Sequence, residues 1–134
     1  MLEKKESTQE KISQLRLEYA DGLSKRFLEL HAGYMLVVES AGDMENVRQL
    51  AALSHTLCGS AGTFGFGDVA GYCRRIEDLC NLLQEGGTYP DIMNEISNSL
   101  CQLEIAVLYP KLVEEQTEVV KNFYRKHGSE REAY

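Results

Sequence analysis

The 134-residue sequence has little proline, no tryptophan and no long apolar run. Proline interrupts helices because it lacks a backbone donor, and only Pro90 and Pro110 are present, so long stretches remain free to be helical. No apolar segment approaches the roughly 20 residues that cross a membrane, and the polar start of the chain is unlike a signal peptide. We therefore expect one cytoplasmic domain over residues 1–134, frayed in its first few residues and in 128–134.

Basic residues are also scarce, with 14 lysines and arginines against 21 acidic residues and a net charge of −7. Phosphate backbones and anionic lipids repel such a surface, so neither nucleic acid nor a membrane is an expected partner. The four cysteines form no CxxC pair and fall in segments with helical periodicity. This pattern favours reduced thiols over a disulfide framework or a zinc site.

Apolar residues recur every three or four positions along most of the chain, which is the period of an amphipathic helix. Ser7 and Glu10 have the spacing of a capping box and predict a first helix that ends near Ser40, either continuous or broken at Asp21-Gly22. Turn residues near 41–43, 62–67 and 86–87 then separate three further apolar stripes. The predicted core positions are Ile12, Leu15, Tyr19, Leu23, Phe27, Leu30, Tyr34, Val37 and Val38 in the first helix, Val47, Leu50, Leu53, Leu57, Ala61 and Phe64 in the second, Val69, Cys73, Ile76, Cys80 and Leu83 in the third, and Ile92, Ile96, Leu100, Leu103 and Val107 in the fourth.

Short turns between helices of this length favour antiparallel neighbours. The sequence therefore predicts an all-α fold, an antiparallel up-down four-helix bundle with additional helical segments at its ends. Asp43 and Asp68 are the expected N-caps of the second and third helices. Pro110 is expected to kink the fourth helix or to begin a new one. Cys101 is expected to lie on or beside the apolar stripe of the fourth helix.

His55 is expected to point away from the core, because it lies two residues, or about 200°, from the core residue Leu57. The residues around it on the helix are small: Ala51, Ala52, Cys58, Gly59 and Gly62. Each of the two glycines destabilises a helix by about 1 kcal/mol relative to alanine, which indicates close approach by another surface. An ordinary surface histidine beside packing glycines explains the same pattern, so both interpretations stand.

Glu77 in the third helix is placed to reach His55. A turn centred near Phe66 leaves eleven residues on either side, so an antiparallel hairpin brings the two side chains to similar height. A carboxylate that accepts the Nδ1 proton fixes the imidazole tautomer and leaves the Nε2 lone pair facing solvent, ready to attack. The alternative partner of Glu77 is Arg74, three residues earlier on the same helix.

The segment HTLCGSAGTFGF, residues 55–66, resembles the signature of histidine phosphotransfer domains, including the version in chemotaxis histidine kinases. The family pattern is H-x-[LI]-K-G followed by small residues and a second glycine, matched here by His55, Gly59 and Gly65. The resemblance spans about Leu23 to Leu83 as a helical pattern, and only residues 55–66 are specific. It implies that His55 accepts a phosphoryl group and that Glu77, where the chemotaxis kinases have a glutamate, orients the imidazole.

One family residue is missing from the motif. The lysine three positions after the histidine is replaced by Cys58, so the cation that would offset charge on the phosphoryl group is absent there. Either Arg48, about two turns earlier, or Arg74 on the next helix is placed to substitute for it in part. Cys58 and His55 together supply two metal ligands, too few for a tetrahedral site, so no metal is expected.

The resemblance therefore implies a phosphorelay intermediate without autokinase activity. Nε2 of His55 would take a phosphoryl group from a receiver aspartate or a histidine kinase and pass it to another receiver aspartate, which docks around Ala51, Ala52, Cys58, Gly59 and Gly62. Mg²⁺ would belong to the receiver, so this chain needs no cofactor of its own. His31 and His127 lack such surroundings and are expected to be structural or solvated.

Two hypotheses of other classes remain. A phosphorylation-silent adaptor that binds receiver or kinase domains is favoured by Cys58 in place of the lysine. A metal-binding bundle would rest on the Cys58–His55 spacing.

Overall fold

The computed structural model describes residues 7–108, which form four helices and no strand. Helix α1 spans Thr8–Glu39, α2 spans Met44–Thr63, α3 spans Gly67–Gln84 and α4 spans Tyr89–Leu108. Tyr89 at the start of α4 lies against Gly42 in the turn after α1, and Arg16 near the start of α1 contacts the turn between α2 and α3. Successive helices are therefore antiparallel, which confirms the predicted four-helix bundle. The predicted terminal segments, with Pro110, lie outside the described residues.

The helix ends follow from local hydrogen bonds, and one predicted cap is wrong. The backbone N–H of Glu10 donates to the Ser7 hydroxyl and that of Ser7 to the Glu10 carboxylate, a complete capping box. Asp43 caps α2 by accepting from the N–H of Asn46. Asp68 caps nothing, because Gly65, at φ +82°, reverses the chain so tightly that α3 begins at Gly67. The Asp68 carboxylate lies instead in the first turn of α3, where its negative charge interacts favourably with the positive end of the helix dipole.

Helix α1 is continuous through Asp21-Gly22, the candidate break. The weak helix propensity of these two residues is overridden by burial, since Tyr19, Leu23 and Phe27 on either side pack into the core. Most helical stability in proteins comes from such packing and not from propensity.

The core is formed by one stripe from each helix, and the predicted stripes of α3 and α4 are buried throughout. In α1 and α2 several predicted core residues are wrong: Ile12, Leu15, Val38 and Leu53 are exposed, while Tyr34 and Phe64 are only half-buried. Helix α1 has 32 residues against 18 to 20 in the others, so its first turns extend past the turn between α2 and α3, where no described helix covers them. Cys101 is also exposed.

Side chains in the first half of α1 contact residues at the end of α2. The Tyr19 hydroxyl and Ser60 Oγ are 2.6 Å apart, and the Tyr19 ring stacks on Phe64 with centroids at 4.6 Å. Arg16 donates from Nε to the Phe64 carbonyl at 2.9 Å. These contacts hold the half of α2 that carries His55 in a fixed position against α1. None of the helices over residues 7–108 has the length and hydropathy of a membrane span.

Candidate functional site

His55 lies on the outer surface of α2, as its position in the helix predicts. Its neighbours Ser54 and Leu57 turn inward and are buried, and the Ser54 hydroxyl donates to the Leu50 carbonyl at 2.8 Å. The imidazole side chain is 79% exposed. A ring in this position is accessible to a second protein.

The two glycines beside His55 have different surroundings. A Cβ at Gly62 would lie 3.9 Å from the Ala70 side chain on α3, an ordinary van der Waals contact, so Gly62 lies beside α3 but its packing there does not require a glycine. A Cβ at Gly59 would meet no atom within 4 Å, so nothing in the bundle requires a glycine there. Gly59 therefore fits the interpretation in which another surface comes close to the helix.

The remaining residues of the predicted docking surface are small and accessible. Ala52 is exposed, while Ala51 and Cys58 are half-buried beside the boundary with α3. Together with Gly59 and Gly62 they leave a low surface around the ring.

Glu77 on α3 holds one side of the imidazole. Its Oε2 lies 2.8 Å and its Oε1 3.2 Å from Nδ1 of His55. An ionised carboxylate only accepts hydrogen bonds, so Nδ1–H is the donor and Nε2 of the neutral ring keeps its lone pair. The Glu77 side chain is 24% exposed and pairs with His55, not with Arg74. The outward nitrogen is therefore the nucleophilic one.

Two of the four cysteines, Cys73 and Cys80, are buried, whereas Cys58 is half-buried and Cys101 is exposed. Burial raises the pKa of both Cys73 and Cys80 to about 12, because a thiolate is poorly solvated in the core. These two thiols stay protonated and unreactive near neutral pH.

Within residues 7–108, no three histidine, cysteine or acidic side chains lie close enough together to form a metal site.

His31 has different surroundings from those of His55. His31 is exposed on α1, between the rings of Phe27 and Tyr34 at centroid distances of 6.1 and 6.2 Å. No carboxylate within residues 7–108 pairs with it. His127 lies outside the described residues.

The sequence did not predict a groove that lies between α1 and α2, beside His55. It has a volume of about 490 Å³ and is lined by Arg26, Glu29, Leu30, Gln49, Ala52, Leu53, Thr56, Leu57 and Ser60. Leu53, predicted as core, is 38% exposed and forms part of its wall. The available signal was that Ala52, Leu53 and Thr56 share a face of α2, but only the packing of α1 shows that the face is left partly open.

The sequence matches the family model of the Hpt domain over residues 5–106, three quarters of the chain, including both His55 and Glu77. No curated protein and no solved structure matches it. Hpt domains are helical bundles that interact with receiver domains and kinases, which agrees with the four antiparallel helices described above. The chain therefore belongs to the Hpt domain family, the histidine phosphotransfer modules of phosphorelays.

Proposed function

We propose that the protein is a phosphorelay intermediate that carries a phosphoryl group on Nε2 of His55 between a receiver aspartate or a kinase and another receiver aspartate. The observation that supports this proposal is the 2.8 Å contact between Glu77 and Nδ1 of a ring that is 79% exposed. The contact selects the tautomer whose nucleophilic nitrogen faces outward. The chain acts without autokinase activity.

The transfer is a displacement at phosphorus. The Nε2 lone pair of His55 attacks the phosphorus of an aspartyl phosphate, the bond between phosphorus and the carboxyl oxygen breaks, and the aspartate leaves as a carboxylate. The Nδ1 proton stays in its hydrogen bond to Glu77, whose negative charge stabilises the positive charge that develops on the ring. The same steps in reverse deliver the phosphoryl group to a second receiver. Mg²⁺ and its acidic ligands belong to the receiver.

The partner docks on the surface formed by Ala51, Ala52, Cys58, Gly59 and Gly62. In-line attack requires the aspartyl phosphate to come within about 3 to 3.5 Å of Nε2. The open space above Gly59 allows this approach without displacing a side chain.

The test is phosphoryl transfer from a receiver. Receiver domains of the source organism, each phosphorylated on its aspartate, are incubated with the protein, and acid-labile label on the protein is measured. We expect label on the wild type and on His31→Gln, a matched exposed histidine on α1, and none on His55→Gln. Label that persists in His55→Gln, or its absence from the wild type with every receiver, would contradict the proposal.

The adaptor remains the second candidate, because Cys58 is half-buried where the family pattern has lysine. Restoring the cation in Cys58→Lys separates the two. It accelerates an existing transfer if the protein is an intermediate, whereas an adaptor binds the receiver equally well and stays unlabelled before and after the substitution.

A further inference from the structure

A phosphoryl group on His55 would lie near other negative charges, which disfavour it electrostatically. It brings about two negative charges, and Glu77, also acidic, lies 2.8 Å from the other nitrogen of the same ring. The whole chain has a net charge of −7. Cys58, the half-buried residue one turn further along α2, supplies no cation. A basic side chain from elsewhere is therefore needed to favour the phosphorylated state.

Two of the three arginines on α2 and α3 are engaged elsewhere. Arg48 lies two turns before His55 and pairs with Glu45 at 2.9 Å, an interaction that lowers the pKa of the Glu45 carboxyl group. Arg75 points toward α4, where its guanidinium pairs with Glu95 at 3.1 Å.

Arg74 has the right position. Helices α2 and α3 are antiparallel, and His55 lies opposite Glu77. One helical turn closer to the residues that connect the two helices, Arg74 on α3 therefore lies opposite Cys58 on α2. Residues three apart share a helix face, so Arg74 lies on the face of α3 that carries Glu77. One turn is about 5.4 Å along the axis, a distance that the long arginine side chain can span.

Arg74 is also available. It is exposed, and over residues 7–108 its guanidinium forms no ion pair or hydrogen bond with another side chain, including Asp78 one turn along the same helix. Cys58 and Gly62, the residues of α2 on the side of His55 that faces α3, are small. The guanidinium can therefore move toward His55 without breaking an existing interaction.

We propose that Arg74 binds the phosphoryl group on Nε2 of His55, taking the place of a cation at position 58. The inference rests on the proposed function. A guanidinium can donate two parallel hydrogen bonds to a phosphoryl group, and its charge offsets that of Glu77. Arg74 is thus a phosphate-binding residue supplied by α3, whereas His55 and Cys58 belong to α2.

The test uses phosphoramidate, which phosphorylates imidazole directly as its P–N bond breaks and ammonia leaves. The ³¹P resonance of phosphorylated His55 is followed against pH in the wild type, Arg74→Gln, Arg74→Lys and Arg75→Gln. Arg75→Gln is the matched control, because it removes the same charge from the adjacent residue, where the guanidinium faces α4. Glu77, the charged group in contact with the ring, and Arg26 and Glu29 in the groove between α1 and α2 are unchanged in all four proteins.

We expect Arg74→Gln to raise the pKa of the second phosphoryl ionisation by about one unit, Arg74→Lys to restore most of the wild-type value, and Arg75→Gln to leave it unchanged. Transfer from a phosphorylated receiver should slow about tenfold in Arg74→Gln and should not slow in Arg75→Gln. A pKa that does not move in Arg74→Gln, or that moves equally in Arg75→Gln, overturns the inference. The proposed function fails separately, when no receiver labels wild-type His55, because the phosphoramidate titration needs no receiver.

Discussion

At the scale of the residue, we propose that the contact between His55 and Glu77 orients the imidazole, and we expect it to contribute little to stability. The imidazole is 79% exposed, and exposed ion pairs contribute about 0 to 1 kcal/mol to the free energy of unfolding. A carboxylate that fixes a tautomer has a larger effect on reactivity, because the wrong tautomer directs a protonated nitrogen at the phosphorus.

Replacing Glu77 by alanine should therefore separate reactivity from stability. We expect Glu77→Ala to slow phosphoryl transfer to His55 by about 10- to 100-fold and to change the free energy of unfolding by less than about 1 kcal/mol. Glu95→Ala is the control, since Glu95 forms a comparable exposed pair with Arg75 on the side of α3 that faces α4. Equal transfer rates in the two variants would show that Glu77 does not orient the ring.

At the scale of the element, α2 combines two surfaces. Its inner face carries Val47, Leu50 and Leu57 into the core, and its outer face carries His55 with almost no bulk around it. The open space above Gly59 is thus a property that the fold does not require.

Substitutions at Gly59 should show that the bare surface serves the partner and not the bundle. Gly59→Ala should raise the free energy of unfolding by about 0.5 to 1 kcal/mol, because alanine favours the helix and its Cβ meets nothing. Gly59→Leu should keep the fold, measured by circular dichroism, and slow transfer from a receiver. Gly71 on α3 is the matched control, with equally open surroundings. Transfer as fast in Gly59→Leu as in Gly71→Leu would contradict a docking surface at this position.

Helix α1 depends on a few contacts near the turn between α2 and α3. Tyr19→Phe removes the hydroxyl that lies 2.6 Å from Ser60 Oγ and should lower the free energy of unfolding by about 1 kcal/mol. In Tyr34→Phe the loss should be close to zero, because the Tyr34 hydroxyl bonds to none of the residues described. Urea denaturation measures both. A Tyr19→Phe protein as stable as the wild type would mean that the hydroxyl is equally well hydrogen-bonded to water.

At the scale of the whole molecule, the buried thiols make stability depend on alkaline pH. Cys73 and Cys80 have pKa values near 12 in the folded protein, against an ordinary value of 9.0. Between these values the unfolded chain loses thiol protons that the folded chain keeps, so the folded state becomes less favoured as pH rises. Below pH 9 the two states bind the same number of thiol protons, and this contribution is fully present.

We therefore expect the free energy of unfolding to fall as pH increases from 9 toward 12, measured by urea denaturation at a series of pH values. The slope should become shallower in Cys80→Ala. It should stay unchanged in Cys101→Ala, because Cys101 is exposed. A slope identical in all three proteins would assign the alkaline loss to other groups.

Helical periodicity contains only part of the information that decides which residues are buried. Apolar spacing gives the direction of each side chain about its own helix, so the buried stripes of α3 and α4 were predicted correctly. It does not say whether a neighbouring helix lies in that direction. Ile12 and Leu15 were wrong because α1 is longer than its neighbours, and Leu53 because α1 leaves one side of α2 partly open.

By itself, the sequence determined the four apolar stripes of the described region, the outward direction of His55 and the equal height of Glu77. These properties follow from turn residues, the 100° rotation per residue and equal chain lengths on either side of a turn. Only the tertiary structure decided that Glu77 pairs with His55 and not with Arg74, that Gly59 faces open space, and that Arg48 is engaged while Arg74 is available. Such choices depend on distances between side chains of different helices, or on competition among neighbours, and a one-dimensional pattern contains neither.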